Sequence, residues 1–205
     1  MTAHSLVDRF LPDFEHTIVE EIDVDSSADV VYEAVRSMDF LSIRVPVVTA
    51  LMALRDAPAR LRRRRTGEPE PPAPATMRLA DLLDGAPDAP TEWVGLGEDP
   101  PREVVFGAVG VVWKPRIVWR EVPADEYAAF AEPGYAKIAA AFTVTPAGDE
   151  TRRCRLTYEA RTATTDEDSG RRFGRYWRLV RPFVGVIMRA ALRRAAELAG
   201  ESKGG

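Results

Sequence analysis

Apolar and polar positions alternate along His16-Thr17-Ile18-Val19-Glu20-Glu21-Ile22-Asp23-Val24, which predicts an early β-strand. The period then changes. Val30, Val31, Ala34, Val35 and Met38 recur at helical spacing, and Ser26 with Asp29 offers a start resembling a capping box. Residues 45–54 are apolar and lead into the basic run 62–65, with Pro46 placed to start a helix and Pro58 to interrupt it. That segment reads as a helix packed at its start and solvated at its end. The stretch 66–76 is rich in proline and is expected to be a mobile exposed loop.

The second half alternates in short runs. A brief helix is expected at 77–83 and strands at 91–97, 102–113 and 117–122, the second of them carrying Gly107 and Gly110. A helical turn at 125–130 ends at Pro133-Gly134, and two long strands follow at 135–145 and 152–164, joined by a turn at 146–149. From Arg171 to about Leu198 the pattern is that of a long helix. Phe173, Tyr176, Trp177, Val180, Val184, Ile187, Met188 and Ala191 form its apolar stripe, and Arg181-Pro182 predicts a kink. No internal repeat interrupts this order.

Composition narrows the class. With 205 residues, 45% hydrophobic and 29% charged, the chain is expected to form one globular domain with a sizeable core. Its single cysteine, Cys154, cannot form an internal disulfide, and its strand setting reads as structural rather than reactive. No signal-peptide core is visible in 1–14, and no run approaches the ~20 apolar residues of a membrane span. A cytoplasmic protein is expected, and its Ala, Arg, Pro and Asp usage suits a bacterium of high GC content. The net charge of −4 divides into +7 for residues 151–205 and −11 for 1–150. Such asymmetry can mark a nucleic-acid surface. Without a nucleic-acid-binding motif, a basic helix lying on an acidic body is the preferred reading, and no nucleic-acid partner is expected.

The order strand, helices, run of antiparallel strands, long final helix is carried by several local patterns. They are the segment Val24 to Val35 and Glu103 followed by Gly107-Ala108-Val109-Gly110-Val111-Val112-Trp113-Lys114-Pro115. Further on come Tyr127, Phe130 and Pro133-Gly134-Tyr135-Ala136-Lys137, then Glu159-Ala160-Arg161, and finally Phe173, Tyr176-Trp177 and Arg181-Pro182. In this the chain resembles the START-like superfamily (polyketide cyclase/dehydrase and lipid transport, SRPBCC), in an uncharacterised bacterial branch. The resemblance runs over residues 15–199 as a single domain, with 1–14 and 200–205 expected to be flexible. It implies an α+β helix-grip fold, in which a curved antiparallel sheet wraps around the long C-terminal helix and encloses a hydrophobic cavity. Fold alone leaves the use of that cavity open.

The candidate site follows from the last strand and helix. Glu159 and Arg161 are two apart and share a strand face with Arg155 and Thr157, while Leu156, Tyr158, Ala160 and Thr162 share the other. If the charged face is inward, Glu159 and Arg161 form a buried pair at the cavity, able to orient a carbonyl or hydroxyl. If it is outward, they form a solvated ladder of little worth. Arg181, freed by the proline kink, is placed to approach Glu159. Trp177, Tyr176, Trp113, Phe106 and Tyr135 are the candidate apolar lining, with Trp93 and Trp119 as further aromatic choices.

His4 and His16 are the only histidines, and no ligand spacing predicts a metal; no cofactor is expected either. His16 reads as a partly exposed strand residue before it reads as a general base. The expected function is binding of an apolar small molecule (lipid, polyketide or isoprenoid-like) by a monomer or homodimer without integral membrane association. One alternative is a cyclase- or dehydratase-type enzyme with Glu159 as general acid/base and an arginine steadying an oxyanion. The other is a charge-driven interaction module.

Overall fold

Successive residues of a strand point to opposite faces of its sheet. In this chain both faces are apolar, so both need cover. The computed structural model describes residues 5–43, 76–87, 89–147 and 153–202. The predicted helix at 45–54, the arginine run 62–65, nearly all of the proline-rich stretch 66–76 and the tip of the turn at 146–149 lie outside them.

The strands are β1 (His16–Val24), β2 (Val94–Asp99), β3 (Glu103–Val111), β4 (Val118–Arg120), β5 (Ala136–Pro146) and β6 (Cys154–Thr164). They form one antiparallel sheet in the order β1-β6-β5-β3-β2, with β4 sharing the outer edge of β3. The helices are α1 (Ala28–Ser37), α2 (Leu79–Leu83), α3 (Ala124–Tyr127) and α4 (Glu167–Glu201). This is the helix-grip architecture that the resemblance implies. The long final helix packs across β1 and β6 and against α1.

On the concave face Val104, Phe106, Ala140, Phe142, Val144, Leu156 and Tyr158 meet Val31 and Val35 of α1 and Met188, Leu192 and Ala195 of α4 in one core. The intervening residues Val105, Val109, Ala139 and Ala141 build a second core on the convex face with Val7, Leu11, Leu96 and Tyr127. Strand β3 is buried at every position because it serves both layers. Gly107 sits where the second layer closes tightest: a Cβ there would lie 2.9 Å from the Ile138 carbonyl oxygen and from Leu96 Cδ1.

The expectation of a flexible terminus over 1–14 is corrected for residues 5–14. Leu6–Arg9 form a 3-10 turn laid on the convex face, with Val7 fully buried and Leu11 nearly so. The physical reason is the second apolar face. Without residues 5–14 over it, Val105, Val109, Ala139 and Ala141 would meet water.

Helix α4 runs through Pro182 as one element. It starts at Asp166, whose carboxylate accepts from Ser169 N (2.9 Å), Ser169 Oγ (2.8 Å) and Gly134 N (2.5 Å). The Ser169 bonds, then the Gly134 bond, lower the Asp166 pKa to about 2 from an ordinary 3.8. A carboxyl depressed in the folded state stabilises fully above its ordinary value and loses that contribution as pH falls through the folded value. Asp166→Asn is therefore expected to flatten the acid limb of stability between about pH 4 and about pH 2. Urea midpoints across that window check it; an acid limb as steep as in the parent protein would count against it.

Candidate ligand-binding site

Strand β6 decides the site, because one of its faces meets α4 and the other does not. Leu156, Tyr158 and Ala160 lie on the α4 side, in the core that contains Met188, Ala191 and Leu192. Glu159 and Arg161 therefore point to the convex face. The inward placement of that pair is corrected, and so is its alternative, the solvated ladder.

Arg161 is buried under the N-terminal segment. Its Nε donates to Glu159 Oε1 (2.6 Å), and its Nη1 donates to Asp8 Oδ1 (2.6 Å) and to the Leu11 carbonyl (3.2 Å). The Phe14 ring covers the guanidinium at 4.7 Å. Desolvation works against the Arg161 charge; the bonds and proximity of Glu159 and Asp8 more than offset it, and the pKa ends above its ordinary value. Farther down the same face the ladder is solvated, with Arg155 Nε on Asp23 at 3.0 Å and both side chains well exposed. One face thus has two fates, set by where the N-terminal segment ends.

A second buried charge anchors the same segment. The Glu103 carboxylate accepts from Ser5 Oγ (2.5 Å), Leu6 N (2.7 Å) and Val7 N (3.2 Å). From sequence, Glu103 counted only as part of the strand pattern that carries the resemblance, and no functional role was expected of it. Its placement in an otherwise apolar strand was the available signal.

Two further candidates move. Tyr135 packs on Phe130 in the convex layer, with ring centroids 5.7 Å apart, so it does not line the α4 side. Arg181 is exposed on α4, on the opposite side of the sheet from Glu159, whose carboxylate is taken by Arg161. An acid/base role for Glu159 in the cavity loses its geometric basis. The charge asymmetry also resolves differently from a basic helix on an acidic body. Among the described residues, β6 and the residue before it carry most of the pairing with the N-terminal part, through Arg153–Asp25, Arg155–Asp23 and Arg161–Asp8; α4 adds Arg189–Glu20.

The remaining candidates do assemble on the concave face. Phe173 of α4 stacks with Trp177 (5.8 Å, 20°) and meets Trp113 edge-on (6.4 Å) and Tyr176 (6.0 Å). His16, at the start of β1, lies 5.2 Å from Phe173 and 5.8 Å from Trp177. Along the sheet, Phe106 contacts Phe142 (6.3 Å) and Trp93 (5.5 Å), and Trp93 contacts Trp119 (6.2 Å). Tyr158 stacks on Phe142 at 4.0 Å. Tyr158, Phe142 and His16 were not among the lining candidates. The alternation of β6 held the signal for Tyr158, which shares its face with Leu156.

The face is not sealed. Ala160 sits in the middle of β6 and Ile138 near the start of β5, both toward the helix, yet both stay partly accessible. All four tryptophans of the chain are on this side and also stay partly accessible. A helix seated flush on the sheet would bury such positions. Cys154, on the same face, is buried, and desolvation followed by the Asp23 charge raises its thiol pKa, which suits a packing role. No described helix is long and apolar enough to cross a membrane.

The six-stranded antiparallel sheet with its long final helix has the helix-grip form that the sequence resemblance implies. No family model matches the chain, and no curated protein matches it. Among solved structures it is similar to a protein from Thermobifida fusca (13% identity, 90% of this chain and 93% of that one, TM-score 0.41). It is also similar to truncated norcoclaurine synthase from Thalictrum flavum (11%, 88% and 90%, 0.38). A third is the Zhui aromatase/cyclase from Streptomyces sp. R1128 (12%, 93% and 98%, 0.33). At such identities and scores, none of them bears on what this chain binds.

Proposed function

We propose that the chain binds an apolar small molecule, of lipid, polyketide or isoprenoid-like chemistry, between the concave face of the sheet and α4. The observation that carries this reading is the partly accessible Ala160 in the middle of β6, with Ile138 on the same face near the start of β5 and partly accessible tryptophans beside it. Apolar surface left accessible at the heart of a fold is surface that a ligand can dry. Transfer of apolar area from water drives such binding at roughly 25 cal/mol per Å², and a few polar groups set orientation.

The test is a titration with N-phenyl-1-naphthylamine, an uncharged apolar probe. Saturable quenching of tryptophan emission is expected, with a dissociation constant on the order of 10 µM, about −7 kcal/mol. Because the tryptophans ring the site, quenching and probe emission should rise together. A titration that never saturates, with the protein folded by circular dichroism, sinks the reading.

A further inference from the structure

The polar groups of the concave face are few, and among the described residues the Trp113 indole N–H, the Tyr158 hydroxyl and the His16 ring have no hydrogen-bond partner. Tyr158 is nearly buried in an aromatic layer, stacked on Phe142 and beside Phe106. Its hydroxyl makes no hydrogen bond among the described residues, whereas the Tyr32 hydroxyl donates to Glu98 at 2.6 Å. Burial pushes the Tyr158 phenol above its ordinary pKa, so it stays protonated and keeps a proton to donate. His16 likewise has ring neighbours, Phe173 and Trp177, and no hydrogen-bond partner among the described residues. The ring nitrogen Nε2 faces α4 at Gly174, where an added Cβ would stand in ordinary contact at 3.9 Å.

Their spacing is fixed by strand register. Glu20 pairs with Tyr158, Ile18 with Ala160 and His16 with Thr162, so Tyr158 and His16 lie on one face with the accessible Ala160 between them. Four residues of strand separate the two levels, about 13 Å at ~3.3 Å per residue. Glu20, the acidic neighbour on this face, is engaged by Arg189.

We propose that Tyr158 and His16 are a two-point polar clamp, selecting an uncharged, elongated ring compound that carries a hydroxyl or carbonyl oxygen at each end. This deepens the binding reading above and rests on it. The aromatic walls take the ring faces. Tyr158 donates to one terminal oxygen, and the His16 imidazole bonds the other. An acyl chain with a single polar head would satisfy one group and leave the other unpaired in a drying site, which is costly. Among the described residues a charged ligand would lose its hydration without gaining a free counter-ion on this face, because Glu20 and Arg189 hold each other.

The test compares trans-stilbene, 4-hydroxystilbene and 4,4′-dihydroxystilbene, a rigid series with zero, one and two terminal hydroxyls. Each hydrogen bond is expected to tighten binding roughly fivefold, so the dihydroxy compound should bind about 25-fold tighter than the parent. Tyr158→Phe and His16→Phe should each remove one such step, read as the ratio of dihydroxy to parent affinity within each variant; the double variant should bind all three alike. His16→Asn, which keeps a polar group, should restore part of the step. A dihydroxy preference that survives in the double variant, or is absent from the parent protein, overturns the clamp while the binding reading stands. If N-phenyl-1-naphthylamine and the whole stilbene series all fail to bind, both fall together.

Discussion

Arg161→Ala is expected to destabilise the fold by about 3 kcal/mol and to free residues 5–14 for proteolysis. The guanidinium is 10% exposed and holds Glu159, Asp8 and the Leu11 carbonyl at once. Removing one partner of a buried pair costs about 3–5 kcal/mol, chiefly because the other charge is stranded. Here the lower end applies, since the Asp8 side chain is 36% exposed and can rehydrate when its partner goes. Loss of the Phe14 contact adds about 0.5–1 kcal/mol.

Arg161→Lys should recover only part of the loss, because an ammonium cannot reproduce the planar fork that reaches Glu159 and Asp8 together. Urea denaturation gives the energy, and limited proteolysis with mass spectrometry locates the released segment. The argument fails if the alanine variant loses less than about 1 kcal/mol, the range of an exposed ion pair. It also fails if cleavage does not shift toward the N-terminal segment.

The second large effect lies on the other face. Phe142→Ala should cost about 3–5 kcal/mol, the transfer energy of the ring plus a cavity that its neighbours cannot fill. Phe142 is 1% exposed, and its centroid lies 4.0 Å from Tyr158, 6.3 Å from Phe106 and 6.0 Å from Phe40. Three rings lean on it, and none can move far without leaving its own contacts. Chemical denaturation measures the loss, and near-ultraviolet circular dichroism should weaken as Tyr158 loses its stacking partner. Phe142→Leu, which keeps most of the volume, should cost well under half as much. Equal losses for Leu and Ala would mean that ring stacking, not volume, holds this layer.

These two residues also show how far sequence reasoning reaches. Phe142 could be assigned to a buried strand because its neighbours are apolar. Arg161 could be assigned only to the same face as Glu159. Alternation reports which side chains go together, never what covers them. The missing information was the path of residues 5–14, a short segment with no strong periodicity whose binding depends on Glu103 and Arg161, far apart in sequence. Tyr135 failed for a related reason: it stands just before β5, where strand alternation does not yet fix direction, and Phe130 drew it to the convex layer. The aromatic group on α4 was legible because Phe173, Tyr176 and Trp177 already form a helical stripe.

Local pattern by itself determined the elements and their order: the strand at 16–24, the long final helix and the run of strands between them; the helix-grip architecture was what the family resemblance implied. Pattern determined the elements because periods of two and 3.6 residues are set by backbone geometry within each element. Only the tertiary structure decided which face of β6 meets α4. With that came the removal of Glu159 and Arg161 from the α4 side and the appearance there of Tyr158 and His16. The physical reason is that a sheet with two apolar faces must be covered twice. The choice of cover for each face is a competition between distant segments, won by summed burial and by pairing of the charges that would otherwise be stranded.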